Sequence, residues 1–219
     1  MDYFHWVRQE IKPLLPENTS RVLEVGAGAG GTLKWVKTLY PRVETTAVEI
    51  NPELLTDLRR NVDVPIIGSI DSAIGQLKTY DLILLLDVLE HLTDPSATLK
   101  QLSKNLAPNG QIIVSVPNVS HFSVSLPLLL KRRFEYEDAG ILDRTHVRFF
   151  VEKTAIKLLN DAGFLVKAGL ISGIHGPKSK ALDLLSFGAL RHHLTKQYIM
   201  LGQLTGGSVC QSRVSWKTA

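Results

Sequence analysis

The chain carries a single cysteine, Cys210, among its 219 residues. One thiol excludes an internal disulfide and any multi-cysteine metal site. It suits a reducing compartment, and a cytoplasmic location is expected. Long apolar runs are also missing. Leu82 to Leu86 and Ile112 to Val116 are far too short to span a bilayer, and Ser123 to Leu130 is broken by Pro127. No integral membrane association is expected. Met1 leads into Asp2, Arg8 and Glu10 rather than an apolar stretch, so no signal peptide is expected. Nor does one sign of charge dominate. Lysine and arginine number 25 against 21 acids, a formal net charge of +4. The compact basic cluster is Lys131-Arg132-Arg133, which reads as a solvated surface, so no nucleic-acid partner is expected. No HxxxH pair is present, and no metal is expected. There is no internal repeat and no low-complexity tract.

What is present is a chain of ordinary globular composition, 44% hydrophobic and 21% charged. Its length suits one large core, so residues 1–219 read as one domain. In the N-terminal region, 1–19, Phe4, Val7, Ile11 and Leu14 recur at spacings of three and four. That predicts an amphipathic helix ended near Pro13 or Pro16. Strands are expected at Arg21–Val25, Val43–Val48, Val64–Ile67, Asp81–Leu86 and Ile112–Val116. Between them, helices are expected at Gly30–Leu39, Pro52–Arg60 and Ser96–Leu106. Asn51 caps the second of these, and Pro108-Asn109-Gly110 forms a turn. Later come a helix at Thr154–Ala162, a strand at Leu165–Ile171 and a last strand at Tyr198–Leu201. Several strands are nearly continuous apolar runs, the signature of a parallel sheet covered on both faces. The expected architecture is an α/β, doubly wound, mostly parallel sheet of seven strands.

Two stretches break the alternation. Residues 119–150 and 172–197 read as lid or substrate-side insertions. The first holds the apolar residues Phe122, Leu126, Leu128 to Leu130, Phe134 and Tyr136, suited to a lid, a membrane-surface contact or plain packing. The second holds Leu182, Leu184, Leu185 and Phe187, which fit a homodimer surface or a local core. Residues 205–219, with Gly206-Gly207 and Trp216, are too few for a separate domain.

The chemistry centres on VLEVGAGAG, Val22 to Gly30, where a strand runs into Gly26, Gly28 and Gly30. Glycines there permit tight backbone turns and close ligand approach. Glu49 ends the second strand, placed to accept two hydrogen bonds from a ribose diol. Loop and acid together suit NAD or an adenosyl group equally. Glu24, inside the first strand, is a carboxylate that needs a partner if buried.

At this point the chain resembles the class I S-adenosylmethionine-dependent methyltransferases. VLEVGAGAG resembles their first motif and AVEIN, 47–51, their second. GSIDS, 68–72, resembles the turn after strand three, and DLILLLDVLEHLTDP, 81–95, the fourth motif. NLAPNGQIIVSVPN, 105–118, and NDAGF, 160–164, resemble the later helix–turn–strand units. The resemblance covers roughly residues 20–171. Alanine stands at position 27, where many members have cysteine, with the small volume preserved. Among the broad family, the ubiquinone-biosynthesis type and bacterial enzymes acting on cell-surface saccharides are the most similar groups.

The resemblance implies a Rossmann-like methyltransferase fold and S-adenosyl-L-methionine as cofactor. It implies that Glu49 holds the ribose hydroxyls and that Asp71 approaches the adenine amine beside Ile70. Asp87 would stand beside the methionyl part, with Glu24, Gly26, Gly28, Ile50 and Val88 completing the cofactor pocket. The expected reaction is methyl transfer to a hydroxyl of a small polar acceptor, a sugar or biosynthetic intermediate. N- or C-methylation and a non-catalytic adenosylmethionine-binding protein are the alternatives. For the acceptor, DRTHVRFF supplies His146 as the preferred base, since imidazole suits proton transfer near neutral pH. Asp143 would orient it, and His91 lies at the strand-four end. His121, Arg144 and Arg148 are the substrate-binding candidates. His175, His192 and His193 read as surface or packing residues.

Overall fold

The computed structural model describes residues 3–174, 176–205 and 214–219. Met1, Asp2, His175, Gly206-Gly207 and Cys210 therefore lie outside the described residues. The chain builds one sheet. Its strands are β1 (Arg21–Val25), β2 (Glu44–Glu49), β3 (Val64–Ile67), β4 (Tyr80–Leu86), β5 (Leu106–Pro117), β6 (Phe164–Ser172), β7 (Gln197–Leu204) and β8 (Trp216–Thr218). The spatial order is β3-β2-β1-β4-β5-β7-β6-β8. The first five strands are mutually parallel. β7 enters antiparallel between β5 and β6. Among the described residues the sheet has eight strands rather than seven, because three residues near the C-terminus add parallel to β6.

The main helices are α1 (Gly31–Leu39), α2 (Leu55–Asn61), α3 (Ile70–Ala73), α4 (Pro95–Leu102), α5 (Phe122–Lys131), α6 (Glu152–Asp161), α7 (Pro177–Leu185) and α8 (Arg191–Leu194). Side chains of β4 divide between two cores, as strand alternation requires. Ile83 and Leu85 pack with Leu99 and Leu102 of α4 and with Ile156 and Leu159 of α6. Leu82, Leu84 and Leu86 pack with Leu33 and Val36 of α1 and Leu58 of α2. Both faces of the sheet are therefore buried.

Local chemistry sets the boundaries. The Asn51 side chain accepts from the Glu53 amide at 3.0 Å, and the Asp94 side chain from the Ala97 amide at 2.9 Å. Both are side-chain caps on the first orphan amides of a helix. Three expectations need correction. The N-terminal helix is two short 3-10 segments, Tyr3–His5 and Gln9–Leu14, with Pro13 inside the second. Proline lacks the amide donor and limits helix growth, so only Ile11 and Leu14 are buried from the expected stripe. The helix from Ser96 gives way to a 3-10 turn at Ser103–Asn105. Pro108-Asn109-Gly110 lies within β5 as a bulge, with Asn109 at φ 65° and a register shift opposite Tyr80 and Leu82.

Of the two irregular stretches, the first forms α5, which exposes Leu128, Leu129 and Leu130. In the second, Leu184, Leu185 and Phe187 are exposed, so they are not a local core.

The order 3-2-1-4-5 reverses direction between β1 and β4. The crevice at such a switch point, beyond the strand C-termini, is where open α/β sheets bind ligands. Here the glycine loop follows β1 on one side, and Asp87 follows β4 on the other.

Candidate active site

Gly26 and Gly28 take φ values of 69° and 54°, a region costly for residues with a Cβ. A Cβ on Gly28 would stand 2.7 Å from the Phe4 carbonyl oxygen, and one on Gly26 would stand 2.8 Å from a Val88 methyl. The Ala29 amide donates to the same Phe4 carbonyl at 2.8 Å. The N-terminal segment thus lies directly over the loop. Opposite, Glu49 accepts from the Gly28 amide at 2.8 Å through Oε2 and from the Asn51 amide at 2.9 Å through Oε1. Each carboxylate oxygen keeps acceptor capacity for a diol. Ile50 is 71% exposed. An open apolar side chain beside that acid suits the face of an adenine ring. Ile70 is buried in the core, whereas Asp71 is exposed in the first turn of α3.

Asp87 has φ 58°, a strained conformation for a residue with a side chain. Its surroundings hold it there. The Ser115 hydroxyl donates to Oδ1 at 2.8 Å and accepts from the Asp87 amide at 2.9 Å. Gln197 Nε2 donates to Oδ1, and Arg8 Nη1 donates to Oδ2 at 2.5 Å. The Arg8 side chain is only 12% exposed and also pairs with Glu10. The sequence patterning missed Arg8, Ser115 and Gln197. Arg8 was hidden within a region read only for its apolar period, and the other two come from distant strands.

Glu24 is 3% exposed, and its Oε2 has no hydrogen-bond partner among the described residues. Burial pushes its carboxyl up to about 8, with Arg8 opposing and Glu49 reinforcing the rise.

The acceptor candidates separate into two groups. His91 and His146 meet edge to face, ring centroids 4.8 Å apart. His146 is buried and its Nδ1 lies 3.0 Å from the Ile141 carbonyl; His91 is exposed, with Nδ1 at 3.3 Å from the Thr145 carbonyl and 3.2 Å from its hydroxyl. A carbonyl only accepts, so each Nδ1 is the donor, and in the neutral ring the lone pair sits on Nε2. Burial and the neighbouring His146 hold the His91 pKa below its ordinary value. Glu90, which the spacing arguments passed over, is 1% exposed beside them. Burial, with the Asp87 charge, holds its carboxyl well above the usual range. The acid was visible in DVLEH as a charge within an apolar run.

The remaining candidates are occupied elsewhere. Asp143 accepts from the Thr145 amide at 2.8 Å and hydroxyl at 2.6 Å, so it reaches His91 through Thr145 rather than gripping the His146 ring. Its pKa is lowered because those bonds outweigh desolvation. Arg144 pairs with Asp138 at 2.8 Å, and Arg148 donates to the Thr93 carbonyl. The amides of Val147 and Arg148 both donate to the Glu90 carbonyl, at 2.9 and 3.0 Å. That clamp brings residues 143–148 to the end of β4. His121 caps α5, its Nδ1 accepting from the Ser123 amide at 3.1 Å.

A methyltransferase-domain family model matches residues 2–168. The chain belongs to that family. S-adenosylmethionine is accordingly the cofactor of this methyltransferase. Among curated proteins, it is 30% identical over 106 residues to a ubiquinone biosynthesis O-methyltransferase of Xanthomonas oryzae, covering 45% of this chain and 44% of that one. It is 33% identical over 98 residues to a malonyl-[acyl-carrier protein] O-methyltransferase of Anoxybacillus flavithermus, covering 43% and 38%. The matched stretch spans less than half the length of either relative. Among solved structures, a SAM-dependent methyltransferase from Archaeoglobus fulgidus superimposes with a TM-score of 0.66 at 15% identity, over 89% of this chain and 90% of that one. The plantazolicin methyltransferase BpumL, in complex with SAH, gives 0.61 at 19% identity, over 90% and 80%. These two likenesses concern the fold. The residues around the methyltransferase's crevice fit the cofactor on their own chemistry: an acid for a diol, an open apolar face for a ring, and both signs of charge for an amino acid.

Proposed function

We propose that this methyltransferase transfers a methyl group to a hydroxyl oxygen of a small polar acceptor such as a sugar. S-adenosylmethionine supplies a methyl already activated on a sulfonium, so the protein's work is orientation and control of the acceptor proton. In this reading Glu49 holds the ribose hydroxyls, and Ile50 covers the adenine beside Asp71. Gly26 and Gly28 let the backbone approach the ligand. Asp87 takes the methionyl ammonium, and Arg8 turns from Asp87 to the methionyl carboxylate.

The observation that carries the hydroxyl assignment is the group beyond β4. Two imidazoles with carbonyl-fixed Nδ1 atoms stand beside a buried carboxylate. Such a group polarises an O–H bond; an amine acceptor, already nucleophilic when neutral, needs less help. The names of both curated relatives, O-methyltransferases, support the same reading.

The test is incubation with methyl-labelled S-adenosylmethionine and a panel of sugars, hydroxy acids and amines. Labelled products are then read by NMR for the atom that carries the methyl. Methoxyl products uphold the assignment. Label confined to nitrogen or carbon overturns it, and absence of turnover with saturable cofactor binding favours the non-catalytic alternative.

A further inference from the structure

Glu90, His91 and His146 are brought to one point from two separate stretches of chain. One ring nitrogen from each histidine and one Glu90 carboxylate oxygen all lie within 4.8 Å of one another. Two independent features make this more than proximity. First, Glu90 Oε2 is buried, with no hydrogen-bond partner among the described residues. A buried carboxylate oxygen left so is costly unless a cation or donor reaches it. Second, both imidazoles direct Nδ1 at a backbone carbonyl, Ile141 for His146 and Thr145 for His91. That is the outer contact which orients a metal-ligating histidine and leaves Nε2 as the ligand atom.

We infer that Glu90, His91 and His146 form a binding site for one divalent transition-metal ion. Two imidazoles and one carboxylate suit first-row ions such as Zn²⁺, Mn²⁺ or Co²⁺ better than Ca²⁺ or Mg²⁺, which favour oxygen. Three protein ligands leave a coordination position for solvent or substrate, as in catalytic rather than structural sites. Asp143 does not compete for the ion; it binds Thr145, whose hydroxyl and carbonyl both meet the His91 ring. The sequence concealed the site because His91 and His146 fall in different motifs and Glu90 follows an apolar run.

The consequence for the reaction rests on the hydroxyl-transfer reading, whereas metal binding itself does not. An acceptor hydroxyl that occupies the open position loses its proton to solvent more readily. His146 then serves as a ligand rather than as the base.

The test uses the full chain, stripped with a chelator and titrated with Co²⁺, with visible absorption and calorimetry as readouts. One Co²⁺ per chain is expected, with d–d bands characteristic of nitrogen and oxygen ligands. Glu90→Gln, His146→Ala and His91→Asn should each weaken binding at least tenfold. His91 is exposed, so its variant keeps the site testable if the two buried replacements fail to fold. Thermal melting and adenosylhomocysteine binding are measured on every variant. A wild-type chain that binds adenosylhomocysteine but no Co²⁺ overturns the metal site and leaves the methyltransferase reading standing. Equal Co²⁺ affinity in wild type and a folded variant also overturns it. Retained Co²⁺ binding without adenosylhomocysteine binding upholds the site and counts against the cofactor assignments instead.

Discussion

At the scale of single residues, the two ionisable groups buried near the loop make opposite demands. Arg8 is held by Asp87 and Glu10, so it is satisfied before any ligand arrives. Exchanging Asp87 for a methionyl carboxylate keeps the guanidinium paired while freeing Asp87 for the ammonium. A charge-assisted hydrogen bond of this kind contributes about 1.5–3 kcal/mol. Arg8→Ala should therefore weaken adenosylhomocysteine binding by roughly 10- to 100-fold, measured by calorimetry. Methylthioadenosine, which lacks the amino-acid end, should lose little. Equal losses for both ligands would show that Arg8 only props up the loop. Glu24 makes the other demand. Its carboxyl titrates at about 8 when folded against an ordinary 4.5, so between those values the native state holds a proton that the unfolded chain has released. Stability from this group is full below 4.5 and declines as pH rises through 8. Glu24→Gln should flatten that decline. Melting temperatures of the two proteins across pH 5 to 9 decide it, and parallel curves would refute the assignment.

At the scale of elements, β8 shows what a short strand needs to stay in place. The Trp216 indole N–H donates to Glu152 of α6 at 2.6 Å, and Glu152 also faces His192 at 3.3 Å. The indole lies on Gly169 of β6, where an added Cβ would come 2.4 Å from ring carbons. Gly169→Ala should displace the strand at a cost of about 1–3 kcal/mol, lowering the melting temperature and shifting tryptophan emission to the red. Unchanged emission would mean the ring does not rest there. This pairing was illegible in the sequence, because nothing in Trp216-Lys217-Thr218 announces a strand, and its register depends on one glycine far upstream. β1 to β4, by contrast, were legible almost to the residue, since apolar runs bounded by Gly, Asn and Pro specify buried parallel strands locally. The N-terminal segment misled for the same local reason. Its apolar spacing was real, but Pro13 and contact with the glycine loop override a continuous helix. The positions of Glu49 and Asp87 at the ends of β2 and β4 were readable. What could not be read was that Glu90 joins His91 and His146, because Glu90 meets His146 only through the clamp of Val147 and Arg148 amides on the Glu90 carbonyl.

At the scale of the whole molecule, the crevice is assembled from pieces that the sheet order alone brings together. The N-terminal segment gives Phe4 and Arg8, β2 ends in Glu49, Asp87 follows β4, and Ser115 and Gln197 come from β5 and β7. A ligand bridging these pieces binds the folded state and not the separated strands, so binding and folding are linked. Adenosylhomocysteine at about 100 times its dissociation constant should add roughly 2.7 kcal/mol of stability. For a chain of this length each kcal/mol moves the melting temperature by about 2–4 °C, which gives a rise of roughly 5–11 °C. Glu49→Gln removes one charged acceptor from the ribose side. A tenfold loss of affinity at the same ligand concentration takes away about 1.4 kcal/mol, so its ligand-induced rise should be smaller by roughly 3–5 °C. The comparison must be made between ligand-free and ligand-saturated forms of each protein, because Glu49 also anchors the Gly28 amide and its loss lowers the baseline. A full-sized rise in the variant would mean that the ligand ignores Glu49. The crevice between β1 and β4 would then be the wrong end of the molecule for the adenosyl group.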